Sequence, residues 1–314
     1  MTDNYVLRND EFAMQPQEPI DYLIGDLITN SSLNVFYGEA GSKKTYSVLT
    51  MAVAVANGID WLGFKTKKSS VLIIDEESGE KRLARRLNEA ILGMNCKSSG
   101  KLFFISLAGF KLDNKEDVKT IESEINKIGA KLVIFDALAD IMDGDENSKK
   151  DVQPVMNNLR KIADNTDSSI VLIHHANKGG GYRGSTAIKA SSDLMIQVSS
   201  DLDDPIVSFK TEKNRDGFYS NWSAEASWEE NWEETIFYFN LISPIKKTGS
   251  REDYVLNFLR ENGESLISEI IENPMGCSKD GAKKAIYSLA KSGEIIRSNP
   301  ETGNKGAKYK INDN

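Results

Sequence analysis

Apolar runs of strand length alternate with helix-length patterns from residue 31 to about residue 242. The strand candidates are nearly continuous in apolar residues and lie at 33–37, 70–75, 102–107, 132–136, 170–174 and 206–210. Helical periodicity is clearest at 81–91, 115–128 and 151–163. Strands buried on both faces give such continuous runs. The pattern therefore predicts an α/β fold with a mainly parallel central sheet that is covered by helices on both faces.

The pattern differs at the two ends of this region. Residues 222–228 and 235–241 carry aromatic side chains at alternating positions, which predicts antiparallel strands. Residues 1–30 are mostly polar, and we interpret them as an extended N-terminal arm able to pack on a neighbouring subunit. The main domain is then expected at 31–242.

A second, smaller unit follows a break at 243–249, SPIKKTG, which we interpret as a linker. Residues 250–314 predict three helices, at 251–261, 265–272 and 278–292. Short strands at 295–297 and 307–311 then flank a turn rich in Pro, Gly and Asn. This order of elements is typical of a winged helix.

Composition excludes several classes of protein. The 314 residues are 39% hydrophobic and 27% charged, which is ordinary for a soluble globular protein. No apolar run has membrane-spanning length, and the polar start is unlike a signal peptide, so we expect no membrane partner and a cytoplasmic location. Only Cys96 and Cys277 occur, which excludes a disulfide framework and a cysteine zinc site.

The charge is unevenly distributed. The net charge of −8 argues against a uniformly basic nucleic-acid binder. Residues 246–314 nevertheless hold 12 Lys and Arg against 10 Asp and Glu, leaving 27 against 37 for residues 1–245. An acidic body with a mildly basic tail suggests two roles.

The segment 33–45, LNVFYGEAGSKKT, carries the strongest chemical signal. An apolar strand breaks into a short loop and a helix follows, which is the context of a phosphate-binding P-loop. Backbone N–H groups of such a loop bind a polyphosphate. Lys44 would reach the β- and γ-phosphates, and the Thr45 hydroxyl would bind Mg²⁺. The candidate nucleotide-binding residues are Gly38, Gly41, Ser42, Lys43, Lys44, Thr45 and Tyr46.

One position departs from the pattern G-x-x-x-x-G-K-[ST], because Lys43 stands where the second glycine is expected. An ordinary surface turn is the alternative reading of this loop. A carboxylate at a second strand end favours nucleotide binding, since Asp136 closes the apolar run 132–136 and could hold Mg²⁺ with Thr45. An N-capping role is the alternative for Asp136.

Hydrolysis also requires a group that deprotonates water. Asp75, Glu76 and Glu77 end the strand 70–75, and we choose Glu76 as the base and Glu77 as the second candidate. A solvated helix start is the alternative. The only two histidines, His174 and His175, close another strand on opposite faces, so one of them could sense the γ-phosphate.

Two cationic segments follow. The loop 177–187 contains three consecutive glycines with Lys178, Tyr182 and Arg183, a composition that could contact a phosphate backbone and stack on a base. A surface loop is the alternative. Lys213 and Arg215 share one face of an extended segment and could reach a neighbouring subunit's γ-phosphate, although a solvated edge strand has the same spacing.

Together these motifs resemble the RecA-type hexameric ATPases, and among them the RepA-type plasmid replicative helicases, with DnaB-type helicases more distant. The similarity covers about residues 21–213. Its most specific part is 145–195, with EN, a strand ending in HHA and K, then RGS and a downstream Asp. The resemblance implies a RecA-like P-loop NTPase core that uses ATP and Mg²⁺ in a homo-oligomer, expected to be a hexamer, with sites between subunits.

The resemblance also implies residue roles. Lys44 and Thr45 would be the P-loop pair, Glu76 the catalytic glutamate, Asp136 the metal-side aspartate and His175 the sensor. Arg183 would lie in a loop that faces the central channel or the neighbouring subunit, and Lys213 and Arg215 would form a K-x-R finger. Two departures are Lys43 and the C-terminal winged helix, which the compact RepA-type ring lacks.

Three functions remain open. The first is an ATP-driven DNA helicase or translocase of a plasmid, phage or mobile element, with single-stranded DNA held by loops 140–150 and 177–187. The second is an ATP-controlled DNA-binding switch or loader, anchored through winged-helix residues. The third is an ATPase whose tail binds protein. The winged-helix candidates for DNA contact are Lys279, Lys283, Lys284, Arg297 and Lys305.

Overall fold

This computed structural model describes residues 8–15, 19–175, 185–201, 203–216, 219–230, 234–242, 246–248, 251–272, 279–303 and 306–312. None of the helices in these ranges combines the length and the apolar character needed to span a membrane. The first elements are a short helix, α1 (Asp10–Met14), and a hairpin of two strands, β1 (Tyr22–Ile24) and β2 (Ile28–Thr29).

The hairpin changes the interpretation of the N-terminal arm. Leu23, Ile24, Leu27 and Ile28 are all buried and pack in the same core as the helices that follow. The core therefore begins near residue 22 rather than at residue 31. Strands of two or three residues are too short to give a periodic signal, which explains why the sequence pattern did not predict them.

Alternating strands and helices form the centre of the molecule. In chain order they are β3 (Leu33–Gly38), α2 (Lys44–Asn57), β4 (Ser70–Asp75), α3 (Glu80–Gly93), β5 (Leu102–Ser106), α4 (Lys115–Ile128), β6 (Ala130–Asp136), α5 (Lys149–Thr166), β7 (Ser169–His175), α6 (Thr186–Ser191) and β8 (Leu194–Ser199). Four further strands are β9 (Ile206–Asn214), β10 (Tyr219–Glu230), β11 (Thr235–Leu241) and β12 (Lys246–Thr248).

Within the described residues these strands form one sheet of ten, in the order β11-β10-β9-β8-β3-β7-β6-β4-β5, with β12 paired to β10. The strands from β8 to β5 are parallel, as predicted. The strand predicted at 206–210 is instead antiparallel to β8. The connection between β8 and β9 is too short for the crossover that a parallel pair requires.

Side chains of the parallel strands enter two different cores. In β6, Leu132 and Ile134 pack on the side of α2 and α3, whereas Val133 and Phe135 pack on the side of α4 and α5. All four side chains are fully buried. This two-sided burial is the physical reason for the continuous apolar runs, and it fixes which face each residue at a strand end occupies.

The C-terminal unit has its own elements: α7 (Arg251–Asn262), β13 (Ser265–Leu266), α8 (Ile267–Glu272), α9 (Lys279–Ser292), β14 (Ile295–Arg297) and β15 (Lys308–Ile311). The three strands pair in the order β13-β15-β14, all antiparallel. A separate apolar cluster holds this unit together, including Val255, Ile270, Ile286 and Leu289.

Candidate active site

The loop between β3 and α2 turns sharply at Gly41 and Lys43. Gly41 has φ 82° and Lys43 has φ 63° with ψ 24°, so both adopt the left-handed conformation. A residue with a Cβ atom pays about 1–2 kcal/mol for this conformation, and glycine does not. Lys43 therefore keeps the backbone turn of the expected glycine, at an energetic cost.

The Lys43 side chain points away from the loop interior. Its Nζ donates hydrogen bonds to the Ser200 hydroxyl at 2.7 Å and to the backbone carbonyls of Asp204 at 2.8 Å and Asp201 at 3.2 Å. These acceptors lie in the connection between β8 and β9. Lys43 was predicted to bind nucleotide, and this geometry leaves only its backbone available for that purpose.

Lys44 points into the loop. Its Nζ donates to the carbonyls of Gly38 at 2.8 Å and Glu39 at 2.6 Å, and the side chain is buried. Burial lowers the pKa of the Lys44 ammonium to about 8, although nearby carboxylates oppose this effect. A bound polyphosphate would give this buried cation the anionic partner that the carbonyls do not provide.

Thr45 and Asp136 meet below the loop. The Thr45 hydroxyl donates a hydrogen bond of 2.9 Å to Asp136 Oδ2. Asp136 follows Leu132 and Ile134 at a spacing of two, so it lies on the face of the sheet that α2 covers. The structure thus joins the two residues that were predicted to hold Mg²⁺ together.

The carboxylate of Asp136 is incompletely satisfied. It is 3% exposed, and its Oδ1 has no hydrogen-bond partner among the residues that the structure describes. Burial raises its pKa to about 7; the Thr45 hydrogen bond opposes this shift, and the Glu77 and Asp75 charges add to it. An unpaired buried carboxylate beside a hydroxyl fits Mg²⁺, which prefers oxygen ligands. No group of three or more His, Cys, Asp or Glu side chains in the described residues could hold a metal alone, so phosphate oxygens would have to complete such a site.

Glu76, the predicted base, does not face the P-loop. Its carboxylate accepts hydrogen bonds from the backbone N–H groups of Gly109 at 2.9 Å and Phe110 at 3.2 Å. Both amides belong to the segment after β5. The side chain therefore has a structural partner that the sequence did not reveal, and it is directed away from Asp136.

Glu77, the second candidate, faces the site instead. Asp75 Oδ1 accepts hydrogen bonds from the backbone N–H groups of Glu77 and Ser78, at 2.8 and 2.6 Å, which tightens the turn after β4. The Glu77 carboxylate lies 3.9 Å from His175 Nε2, and its charge acts on both Lys44 and Asp136. The role of Asp75 was not predicted, although an aspartate two and three residues before the amides that it binds is a recognisable turn signal.

The two histidines lie on opposite faces, as their spacing predicted. His174 is fully buried on the α5 side, where its Nδ1 is 3.7 Å from Glu146 Oε2. His175 is partly exposed on the α2 side, near Glu77. Only His175 can therefore reach a ligand in the P-loop, which agrees with the sensor position that the resemblance implies.

Lys213 and Arg215 lie far from the P-loop of their own chain. Leu194 pairs with Asn214, and Asn34 pairs with Leu194, so both cations are at the start of β3 while the P-loop is at its end. Lys213 Nζ donates to the carbonyls of Lys189, Ala190 and Ser192, and burial lowers its pKa.

Arg215 joins an ion-pair network centred on Asp193. Arg215 Nη1 is 2.9 Å from Asp193 Oδ1, and Arg160 Nη1 contacts Oδ2 of the same carboxylate. The backbone N–H of Leu33 also donates to Oδ2 at 2.9 Å. Asp193 was noted in the sequence only as the aspartate after RGS, and its structural role was not predicted.

Tyr46, another predicted ligand, packs among aromatic side chains. Its ring is 4.3 Å from Phe237 and 5.4 Å from Trp228, measured between centroids, and its hydroxyl donates to Glu89 at 2.6 Å. The side chain thus belongs to the contact between α2, α3 and the antiparallel strands. Only its backbone, in the first turn of α2, could contact a phosphate.

Several predicted DNA-binding residues fall outside the described residues: Lys178, Tyr182, Arg183 and Lys305, together with the side chain of Lys279. On α9, Lys283 and Lys284 are exposed. Arg297 donates to the carbonyl of Thr302 within the turn between β14 and β15.

Comparison with known proteins identifies one matching family. Residues 4–181 match a family model described as an AAA domain. No curated protein matches the sequence. Among solved structures, the ATPase domain of a helicase is similar, with a TM-score of 0.48 and 15% sequence identity over 62% of this chain and 81% of that chain.

Proposed function

The chain belongs to the AAA domain family, and we propose that it is an ATP-hydrolysing oligomeric DNA motor, a helicase or translocase of the RepA type from a plasmid, phage or mobile element. One observation carries the ATPase part of this proposal. The Thr45 hydroxyl donates to the buried, half-satisfied carboxylate of Asp136 directly beside Lys44. This arrangement fits a nucleoside triphosphate with Mg²⁺.

The residues of the site have distinct roles in this proposal. Lys44 and the loop amides bind the β- and γ-phosphates, and Thr45 and Asp136 hold Mg²⁺, which would neutralise charge on the phosphate oxygens. His175 contacts the γ-phosphate. These side chains share the α2 face of the sheet, which supports a common ligand.

We assign the catalytic base to Glu77 in place of Glu76. Glu77 is half exposed, so water can reach it, and it lies beside His175. Its carboxylate would accept a proton from the water that attacks the γ-phosphate. Glu76 is committed to two backbone amides after β5 and would instead hold that segment in position.

We further propose that the active form is a homo-oligomer, a hexamer, in which Lys213 and Arg215 act on a neighbour's nucleotide. β3 spans six residues, which corresponds to about 17 Å between its two ends. Neither cation can reach the P-loop of its own chain across that distance. Arg215 is about half exposed, which makes it the better candidate of the two, whereas Lys213 is held by three carbonyls.

For the DNA part of the proposal, single-stranded DNA would contact loops 140–150 and 177–187. The described residues link the first loop to the nucleotide side of the sheet. Glu146 lies beside His174, next to the proposed sensor, and its carbonyl accepts a hydrogen bond from the Ser185 N–H at 3.3 Å. A change at His175 could thus reach both loops.

A DNA-binding switch or loader is the second candidate, and the exposed face of α9 favours it. Ala282, Ala285, Ile286 and Leu289 are buried. The opposite face exposes Lys283, Lys284, Tyr287 and Lys291. A basic helix face of this kind suits a DNA groove, and we propose that the C-terminal unit is a winged helix that binds DNA through it.

The first test is Lys44→Ala in the full chain, with Lys127→Ala, an exposed lysine on α4, as the matched control. Lys44→Ala should reduce ATP turnover by at least about a thousandfold while the thermal unfolding curve keeps its shape, because a buried cation is removed without opening the core. The control should hydrolyse ATP normally. Normal turnover in Lys44→Ala would overturn the ATPase proposal.

A strand-displacement assay separates the two candidate functions. On forked DNA, a motor releases the strand with ATP but not with a non-hydrolysable analogue. A switch binds DNA in a nucleotide-dependent manner and releases no strand. If neither occurs at low salt, where phosphate contacts are strongest, both DNA proposals are wrong and only the ATPase assignment stands.

A further inference from the structure

A cleft of about 250 Å³ lies next to the P-loop, on the side away from Asp136 and His175. It is formed by the start of the loop and by the end of β8. Its polar lining includes Gly38, Glu39, Ser42, Gln197, Ser200 and Asp201. None of the roles assigned above uses this cleft.

The order of the strands indicates which part of a nucleotide would enter the cleft. β3 lies between β8 on one side and β7 and β6 on the other. Thr45, Asp136 and His175 mark the β6 and β7 side, where the metal-bound end of a triphosphate belongs. The nucleoside end must therefore leave the loop toward β8, where the cleft lies.

The cleft has a close-packed floor. An ideal Cβ atom at Gly38 would lie 2.0 Å from the carbonyl oxygen of Val198 and 2.8 Å from Ser42 Oγ. Only glycine allows β8 to approach the loop so closely. The wall opposite the P-loop is the beginning of the β8–β9 connection, at Ser200 and Asp201.

Lys43 holds this wall against the P-loop. Its three donated hydrogen bonds converge on Ser200, Asp201 and Asp204, and Asp204 Oδ1 in turn accepts from the N–H of Ile206 at 2.8 Å. A glycine at position 43 would make the same backbone turn without strain and without these bonds. The lysine thus keeps a strained backbone conformation and gains a link between the two walls of the cleft.

Building on the proposed ATPase function, we propose that the cleft holds the nucleoside portion of the bound nucleotide and that Lys43 is a positioning residue, which sets the width of the cleft through the β8–β9 connection. The acceptor-rich lining suits the donors of a nucleoside, namely ribose hydroxyls and an exocyclic amino group. Lys43 acts on the nucleoside end, whereas Lys44 acts on the phosphates.

The test compares ATP with inorganic tripolyphosphate, which has the phosphate chain but no nucleoside. Lys43→Gly and Ser200→Ala are measured for the KM and kcat of ATP hydrolysis and for inhibition by tripolyphosphate. The matched control is Lys131→Ala, since Lys131 pairs with Asp167 at the other edge of the sheet. Lys43→Gly should raise KM for ATP about tenfold with kcat changed less than about threefold, and tripolyphosphate inhibition should stay within about twofold. Ser200→Ala should show a smaller shift of the same kind, and the control none.

The outcomes distinguish this proposal from the one on which it rests. Equal losses for ATP and tripolyphosphate would mean that Lys43 serves the phosphate site, and an unchanged KM in Lys43→Gly would mean that the link does not shape the cleft. Either result overturns the present proposal while the ATPase assignment stands. If the unmodified chain bound neither compound, both proposals would be overturned.

Discussion

The two edges of the central sheet both contain a buried aspartate, but only one of these is fully partnered. Asp193, at the amino edge, is 7% exposed, and its two oxygens contact Arg160, Arg215 and the N–H of Leu33. Asp136, at the carboxyl edge, is 3% exposed and receives one hydrogen bond, from Thr45. The two carboxylates have similar burial and opposite degrees of satisfaction.

This difference separates a structural site from a functional one. A buried charge without partners costs several kcal/mol, so a fold retains one only where something else compensates for it. The amino edge needs no ligand, because Asp193 already connects α5, β3 and β9. The carboxyl edge combines a buried lysine and a buried aspartate that remain incompletely paired, and we infer that its missing partner is the ligand.

The largest effect is expected for the base, where neighbouring glutamates provide a matched pair. Glu77→Gln should lower kcat by about 10²- to 10⁴-fold, because the amide cannot accept a proton from water. Glu76→Gln should retain at least a tenth of the activity, since its amide oxygen can still accept one backbone hydrogen bond. Steady-state ATP hydrolysis of both variants decides between them. The opposite ranking would return the role to Glu76.

The next effect concerns stability at the amino edge. Asp193→Ala should lower the free energy of unfolding by about 3–5 kcal/mol, because it leaves Arg160 partly buried without its counter-charge. Denaturant titration measures this loss, and Asp167→Ala, which breaks an exposed pair with Lys131, is the control, expected to change little. A loss below about 1 kcal/mol at Asp193 would contradict the structural assignment of this edge.

The carboxyl edge should respond in the opposite direction. Without nucleotide, the folded state keeps a proton on Asp136 between about pH 4 and pH 7 that the unfolded state has released. The free energy of unfolding should therefore fall as the pH rises through this window. Asp136→Asn cannot titrate, so it should remove this slope and stabilise the protein at about pH 8 by about 2 kcal/mol while abolishing ATP turnover.

The control for that measurement is Asp167→Asn, because the Lys131 hydrogen bond lowers the pKa of Asp167 and thus gives a contribution of opposite sign. That contribution is present at neutral pH and is lost as the pH falls. Thermal unfolding across about pH 5–8 tests both variants. An Asp136→Asn protein with the slope of the unmodified chain would show that Asp136 does not carry the buried proton.

The sequence predicted those features that depend on local pattern. Two-sided burial makes the parallel strands continuous in apolar residues, and a spacing of two assigns Asp136 and His175 to one face, so the Thr45–Asp136 contact could be expected before the structure was known. β8 was missed, because its run LMIQVS is short and contains a polar residue.

Features that depend on distant segments could not be predicted. Glu76 and Glu77 are adjacent and chemically equivalent in sequence. What separates them is the pair of amides at Gly109 and Phe110, more than thirty residues away, together with the turn that Asp75 imposes. The partners of Lys43 likewise lie more than 150 residues along the chain.

The smallest effect tests whether the amino edge also has a function between subunits. Arg215→Ala and Lys44→Ala subunits are each expected to be nearly inactive, for different reasons. In a mixed oligomer, some interfaces would combine an intact P-loop with an intact Arg215, so ATP turnover should recover to a fraction of the unmodified level. The measurement is ATPase activity across mixing ratios, with Arg215→Lys as the variant that keeps the charge but not the planar geometry. Recovery would give this edge a catalytic role in addition to its structural one. Absence of recovery at every ratio, with mixing verified by tagged subunits, would leave Arg215 as a partner of Asp193 alone.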